Sequence, residues 1–352
     1  MQSNNSFSSE KIYTLMFLGL FWGALLVPFI LSGHIPEISM GQVDMPFFGQ
    51  AQLINGIVRL RMRAGDRVFP QVLVGENGWL NYTAENNMDY HQNAPAPTGQ
   101  SIAQSGAALW QLKETLQARG VKLLVVIAPN KETIYPQYVS AGLPLLGEKS
   151  GSDQLVEFFH TRNADDLLLD LRPALKTASA TDQVYYKTDT HWNDMGAYIA
   201  QREILLRMQA NFPNVQPYPL KRYNYPSVGA QRMDLTKILG LTAAGEELFS
   251  LKPKFKAMAK YSALTLANGR KVYSSANPDQ RLPRVLVYHD SFFSALIPII
   301  GEQLGNALFL PHTVENDFFS WLDHEQPELV IFEIVERDLF NIPAYLQKNP
   351  AP

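Results

Sequence analysis

The chain has 352 residues, 46% of them hydrophobic and 18% charged, a balance that builds a sizeable core and excludes a disordered protein. With 30 basic and 33 acidic residues the formal charge is −3, so no basic field marks a nucleic-acid partner. Cysteine is absent, which excludes disulfides, thiol catalysis and cysteine-ligated metals and leaves the compartment open.

The first element is Ile12 to Leu31, twenty residues without a charge, long enough as a helix to cross a hydrocarbon core of about 30 Å. The run is longer than the roughly 7 to 15 residues of a signal-peptide core. Ser32-Gly33-His34, not an Ala-x-Ala site, follows it. The expectation is an uncleaved anchor, with a cleaved signal and a buried core helix as competing readings. Lys11 is the only basic residue before the span, and none follows until Arg59, which by the positive-inside bias puts the N-terminus in the cytoplasm. The expected protein is thus single-pass in a bacterial inner membrane with its remaining chain in the periplasm. Its expected divisions are an anchor at 1–33, a linker at 34–66 and one α/β domain at 67–352.

Within the linker, Pro36 to Gln52 carries prolines and glycines. Val72-Leu73-Val74-Gly75-Glu76-Asn77-Gly78-Trp79-Leu80 then reads as two short strands around a turn, because Asn-Gly supplies the positive φ of a tight hairpin. Ala94-Pro95-Ala96-Pro97 marks a loop. From Ser101 a helical pattern carrying Leu109, Leu112 and Leu116 runs to a capping Gly120. Val121 to Ala128 is an apolar run of the kind buried on both faces of a parallel sheet. A helix from Asp153 and a strand at Leu167-Leu168-Leu169 continue a βαβ rhythm.

Thr188-Asp189-Thr190-His191-Trp192-Asn193 comes next. In an extended segment alternate side chains share a face, so Asp189 and His191 point the same way with Cα atoms roughly 6 to 7 Å apart. Asn193 is the expected N-cap of a helix whose apolar stripe is Ala197, Ala200, Ile204, Leu205 and Met208. The pair is therefore expected at a strand-to-helix junction, where catalytic groups of α/β folds collect. Residues 217–283 show weak periodicity and read as an insertion, with one short helix from Met233-Asp234-Leu235 to Gly240. Arg284-Val285-Leu286-Val287-Tyr288 is another buried strand, ending at His289-Asp290-Ser291-Phe292 and entering a helical run through Leu296. A last strand, Leu329 to Val335, ends at Glu336-Arg337-Asp338-Leu339. Serine, histidine and a carboxylate, each at the carboxyl edge of a predicted parallel-sheet element, form a complete acyl-transfer set.

At these residues the chain resembles the SGNH (GDSL-type) hydrolase superfamily, whose serine block Gly-Asp-Ser is similar to His289-Asp290-Ser291 and whose closing Asp and His correspond to Asp189 and His191. The serine block follows the Asp/His block here, so the resemblance implies a circularly permuted α/β fold: three layers, α/β/α, around a mainly parallel sheet. That order, with Asp-x-His-Trp, is similar to the periplasmic alginate O-acetyltransferases and related exopolysaccharide acetylation proteins. Further similar stretches are Val74-Gly75 through Gly78-Trp79-Leu80, Ala128-Pro129-Asn130-Lys131 through Tyr135-Pro136, Asp234-Leu235 through Leu239-Gly240, and Glu336-Arg337-Asp338-Leu339. Together they cover roughly residues 68–345.

The resemblance implies an O-acetyltransferase in which Ser291 forms an acetyl-serine, His191 is the base and Asp189 orients it. Two departures stand out: His289 occupies the usual Gly position, and the Asn that supplies an oxyanion donor is missing after the last strand. Arg337 stands in that neighbourhood, and Asn130 or Lys131 from another loop are alternative donors. The bland reading of Arg337 is a surface pair with Asp338 or Glu336. Trp192 is counted with the substrate-binding group. An exopolysaccharide is the implied acceptor, and a membrane-bound O-acyltransferase partner the implied relay of the acetyl donor. No cofactor is expected. No metal is expected either: His34, His91, His160, His312 and His324 lack ligand spacing, and the competing mononuclear site of Asp189, His191 and His289-Asp290 leaves Ser291 and its strand context unexplained. The competing functions are a non-catalytic polysaccharide-binding or scaffold protein and a polysaccharide acetyl esterase.

Overall fold

The computed structural model describes residues 9–32, 37–39, 42–44, 49–95, 101–139, 142–242, 245–267, 269–313 and 318–348. Gly33, His34, Pro36 and Ala96-Pro97, named above in the linker and loop readings, lie outside them. The chain divides into two compact units, Met1–Asp66 with Leu239–Ala243, and Arg67–Ile238 with Ala244–Pro352.

In the first unit one helix, Ser9–Ser32, covers the uncharged stretch. Among the described residues no helix is long and apolar enough to cross a membrane. Leu15, Phe17, Leu20 and Trp22 are all more than half exposed on this helix. The stretch read as a linker is in part helical: Gln50–Arg63 forms 14 helical residues, because Leu53, Ile57 and Leu60 recur at i, i+4 and i+7.

In the second unit a seven-stranded mixed sheet forms the centre. Its strands are β1 (Lys122–Ala128), β2 (Leu168–Asp170), β3 (Lys260–Thr265), β4 (Lys271–Ala276), β5 (Val285–His289), β6 (Asn306–Pro311) and β7 (Leu329–Val335). The spatial order is β3-β4-β6-β5-β7-β1-β2. From β6 to β2 the neighbours are parallel, and β3 and β4 close one edge as antiparallel strands. The region read as an insertion thus supplies two strands of the main sheet. Their weak signal has a physical cause: β3 is exposed along its whole length, and an edge strand lacks the apolar run of a buried one.

Alternation along the strands feeds two cores. Leu124, Val126, Val285, Val287 and Ile331 face one side, packed by α3 (Asp194–Met208) through Ala197, Ala200, Ile204 and Leu205. Val125, Ile127, Leu286, Val330 and Phe332 face the other, packed by α1 (Ile102–Ala118) through Leu109, Leu112 and Leu116 and by α2 (Gly151–His160) through Leu155 and Phe159. The result is three layers, α/β/α, around β5, β7 and β1. Helix starts follow their sequence signals: Ser101 with Gln104 and Ser150 with Asp153 form capping boxes. The predicted hairpin is a three-stranded antiparallel sheet, Val68–Phe69, Val72–Val74 and Leu80–Tyr82, turned at Asn77 with φ 53°.

Candidate active site

Residues 184–193 form a short arm in place of the expected strand, and the arm leads into the expected helix α3 capped by Asn193. Tyr185 and Trp192 make an antiparallel bridge, Tyr186 N donates to His191 O at 3.3 Å and Asn193 N to Val184 O at 3.1 Å. Asp189 and His191 therefore approach through a turn, in which the Asp189 carboxylate accepts from the His191 backbone N–H at 3.0 Å. The arm is held from several sides. Leu80 N donates to Lys187 O and Leu235 N to Thr188 O. The Glu246 carboxylate accepts from Lys187 N, Thr188 N and Thr188 Oγ1 at 2.9, 2.9 and 2.7 Å. Asn193 caps α3 by accepting from Gly196 N at 3.0 Å, and its amide donates to Gln183 O at 2.6 Å. A Cβ at Gly196 would collide with the Val184 carbonyl, so only glycine lets the helix start this close to the arm.

Ser291 follows β5 at the carboxyl end of the parallel strands and faces the arm. Its backbone is right-handed helical, φ −67° and ψ −23°, and it opens a 3-10 turn, Phe292–Ala295. No left-handed residue occurs at 289–291, which explains how His289 replaces glycine without strain. The His289 ring is buried, with its centroid 5.5 Å from that of Phe293, and Nδ1 donates to Asp290 O at 2.6 Å. Asp290 braces the turn: its carboxylate accepts from Phe292 N at 2.8 Å and Val335 N at 2.7 Å, and its own N–H donates to buried Glu333 at 3.1 Å.

One hydrogen-bond chain joins the two elements. His191 Nδ1 lies 2.6 Å from Asp189 Oδ1, and His191 Nε2 lies 2.8 Å from Ser291 Oγ. Burial pushes the Asp189 carboxyl up, but the His191 hydrogen bonds and charge outweigh it and hold it at about 2. An ionised carboxylate accepts only, so Nδ1 carries the proton and Nε2 accepts from the Ser291 hydroxyl. Ser291 Oγ is on an exposed residue, while the ring of Phe292 packs 4.8 Å from His191 and 5.1 Å from Trp192, centroid to centroid.

A second carboxylate stands beside the chain. Asp234 accepts from Thr190 N at 3.0 Å and Thr190 Oγ1 at 2.7 Å, donates its own N–H to Asp189 Oδ2 at 3.2 Å, and places Oδ2 3.8 Å from His191 Nδ1. Burial and then the charge of Asp189 raise its carboxyl. Asp189, His191 and Asp234 each bring one donor atom within 4.8 Å of the others, the three residues among those described that could hold a cation. Asp189 Oδ1 and His191 Nδ1 are already hydrogen-bonded to each other, and Asp234 Oδ2 accepts from Thr190 Oγ1.

Of the other expected residues, Arg337 and Asn130 come together. The Arg337 guanidinium donates to Asn130 Oδ1 at 3.4 Å and to Glu85 at 3.1 Å, and lies 5.6 Å from the rings of both Tyr82 and Phe292. Its own side chain is 10% exposed and its ion-pair contact is Glu85, which is 55% exposed; the charges of Asp290 and Asp338 also act on it, whereas Glu336 makes no ion pair with it among the described residues. Lys131 and Trp192 are placed elsewhere. Lys131 is buried and its ammonium donates to the carbonyls of Leu80, Tyr186, Lys187 and Asp189, leaving it to hold the arm instead of facing a substrate. Trp192 is 1% exposed and donates from Nε1 to Phe292 O at 3.0 Å, tying the arm to the serine turn from inside the core. The roles of Asp234 and Glu246 escaped the sequence reading. Asp234 stood in a recognised motif, but nothing local in either residue's neighbourhood reveals a partner 44 to 59 positions away.

A family model described as the SGNH hydrolase-like domain of the acetyltransferase AlgX matches residues 72–265, a span that holds the arm and ends before Ser291. The probable alginate O-acetylase AlgJ of Pseudomonas aeruginosa is 26% identical over 231 residues, 63% of this chain and 55% of that protein. The AlgJ of Pseudomonas putida is 31% identical over 329 residues, 88% of this chain and 81% of that protein. Among solved structures, Bacillus cereus PatB1 with a sulfonyl adduct superposes with a TM-score of 0.59 at 16% identity, covering 79% of this chain and 100% of that chain. A DHHW family protein from Eubacterium siraeum gives 0.57 at 13% identity, over 80% of this chain and 96% of that one. At these identities the two structures speak for the fold alone.

Proposed function

The chain belongs to the AlgX-type family of SGNH hydrolase-like acetyltransferase domains, and from that membership we propose that it is an O-acetyltransferase that acetylates hydroxyls of an exopolysaccharide through an acetyl-serine. The observation that carries the reading is the continuous hydrogen-bond chain Asp189–His191–Ser291, at 2.6 and 2.8 Å.

In the first half-reaction Ser291 Oγ attacks the acetyl carbonyl carbon of a donor ester as His191 Nε2 takes the hydroxyl proton. His191 then returns that proton to the donor's leaving oxygen, and acetyl-serine remains. In the second half a glycan hydroxyl loses its proton to Nε2 while its oxygen attacks the acetyl-serine, and Ser291 leaves with the proton. Asp189 keeps Nδ1 protonated and stabilises the imidazolium formed in each half. Arg337, oriented by Asn130 and Glu85 beside Phe292, supplies positive charge toward the developing oxyanion. No cofactor enters these steps.

The same reading places the protein in a bacterial inner membrane, N-terminus in the cytoplasm and sheet domain in the periplasm. It rests on the uncharged stretch Ile12 to Leu31 and on exposed apolar side chains along the helix there, and it stands against the finding that no described helix is long and apolar enough to cross a membrane. A membrane-bound O-acyltransferase partner would deliver the acetyl donor to that side.

The test is turnover of 4-nitrophenyl acetate by the full chain in detergent, with intact-mass and peptide spectrometry of the product. Nitrophenol release that disappears in Ser291→Ala, together with an acetyl adduct on Ser291, is the expected result. Folded wild type that neither turns over nor acquires an adduct would return the protein to the polysaccharide-binding or scaffold class. Acetate released from acetylated polymer without donor, and no transfer to glycan, would make it an esterase.

A further inference from the structure

Beside the arm lies an open cleft of about 450 Å³ that the acyl-transfer steps do not use. Three aromatic rings line it, those of Tyr186, Tyr225 and Phe249. Phe249 is 40% exposed, and its ring centroid stands 5.5 Å from that of Tyr225 at an interplanar angle of 34°, so the two form a broad, tilted apolar platform. Around it stand three carboxylates, Asp182, Glu246 and Glu247, with Lys187 as the one cation of the lining.

Neutral partners occupy those carboxylates. Glu246 accepts from Gln183 Nε2 at 3.2 Å besides the arm's own donors, Glu247 from Ser227 Oγ at 2.8 Å and Asp182 from Thr181 Oγ1 at 2.9 Å. Among the described residues none of the three makes an ion pair. Four donors use up Glu246, while Glu247 and Asp182 have one each, so the cleft presents flat apolar faces beside two carboxylates with acceptor capacity left for a ligand. That combination matches a pyranose, whose C–H face packs on aromatic rings and whose hydroxyls donate to carboxylates. It repels a polymer that carries a carboxylate on every sugar.

The cleft adjoins the catalytic pair along the chain, though Asp189, His191 and Ser291 are not in its lining. Lys187 and Asn193, both in the lining, stand two residues before Asp189 and two after His191, which limits the backbone separation to about 7 Å in each case. Glu246 both walls the cleft and fixes Thr188, the residue before Asp189.

Resting on the acyl-transfer reading, we propose that this cleft is the acceptor subsite and that it selects neutral pyranose polymers over polyuronates. The probes are cellohexaose and a mannuronate hexamer, titrated calorimetrically at low salt into the full chain in detergent. The Ser291→Ala background prevents any transfer during the titration. Cellohexaose is expected to bind at least tenfold more tightly than the uronate oligomer. Tyr225→Ala should weaken it by tenfold or more, and Phe249→Ala, at a more exposed position, serves if that variant does not fold. Glu247→Lys, a reversal at an exposed site, should raise uronate affinity at least fivefold. Equal or tighter uronate binding overturns the proposal, as does cellohexaose affinity indifferent to both aromatic variants or the absence of binding by either oligomer. Aryl-ester turnover by the unsubstituted chain reports on the triad separately, so a failed subsite and a failed acyl-transfer reading give different results.

Discussion

His289 and His312 show how burial governs single residues around the serine turn. His312 is 6% exposed, packed among the rings of Tyr288, Phe332 and Tyr345 at 4.4, 5.0 and 5.0 Å, and neither ring nitrogen has a partner among the described residues. Burial, and then the nearby His289, lower it to about 3, and burial lowers His289 to about 4. Both folded values lie below the unfolded value of about 6.5, so on acidification the unfolded state takes up protons first. Stability from these groups is full above about pH 6.5 and falls as pH drops toward the folded values, by about 2 kcal/mol each at about pH 5. His312→Phe, which keeps ring and volume without the titrating nitrogens, should stabilise the protein at about pH 5 by about 2 kcal/mol and roughly halve the loss between about pH 7 and 5. Urea midpoints at the two pH values measure this, and an unaltered pH dependence would refute it.

At the scale of elements, the arm 184–193 positions the histidine although it has almost no regular structure of its own. It depends on what grips it: the Lys131 ammonium under its carbonyls, the Glu246 carboxylate at Thr188, Asp234 at Thr190 and the cap of α3 at Asn193. Asn193 is the hinge between arm and helix because one side chain serves both, accepting from Gly196 N and donating to Gln183 O. Asn193→Ala is expected to cost about 1 kcal/mol for the lost cap. It should also lower aryl-ester turnover by about tenfold or more, since small displacements of a positioned base are expensive. Thermal melting and steady-state rates separate the two effects, and a variant that loses stability while keeping full turnover would show that the arm is held without Asn193.

For the whole molecule, the expected arrangement is a sheet domain tethered outside the cytoplasm. The full chain expressed in bacteria should remain in the membrane fraction after an alkaline wash. A C-terminal alkaline phosphatase fusion should be active, because that enzyme's disulfides form only in an oxidising compartment. Recovery in the soluble fraction, or an inactive fusion, would remove the anchor from the account.

Local pattern determined much of the fold. The run Leu329 to Val335 is β7 to the residue, Asn193 caps the helix expected of it, the helix expected from Ser101 starts there, and Ser291, His191 and Asp189 were nameable because a strand end and an Asp-x-His-Trp block are contiguous signals. Apolar periodicity and capping report on neighbours within one or two turns, which is why these readings needed no tertiary information. Tertiary structure alone decided the rest. Lys131 changed from a possible oxyanion donor to a buried clamp because four carbonyls of Leu80 and the arm converge on it. Arg337 found Glu85 across 252 positions of sequence, and residues 260–276 proved to be strands of the main sheet. In each case the deciding partner is distant in sequence, and a hydrogen bond to a distant group leaves no periodicity in the chain.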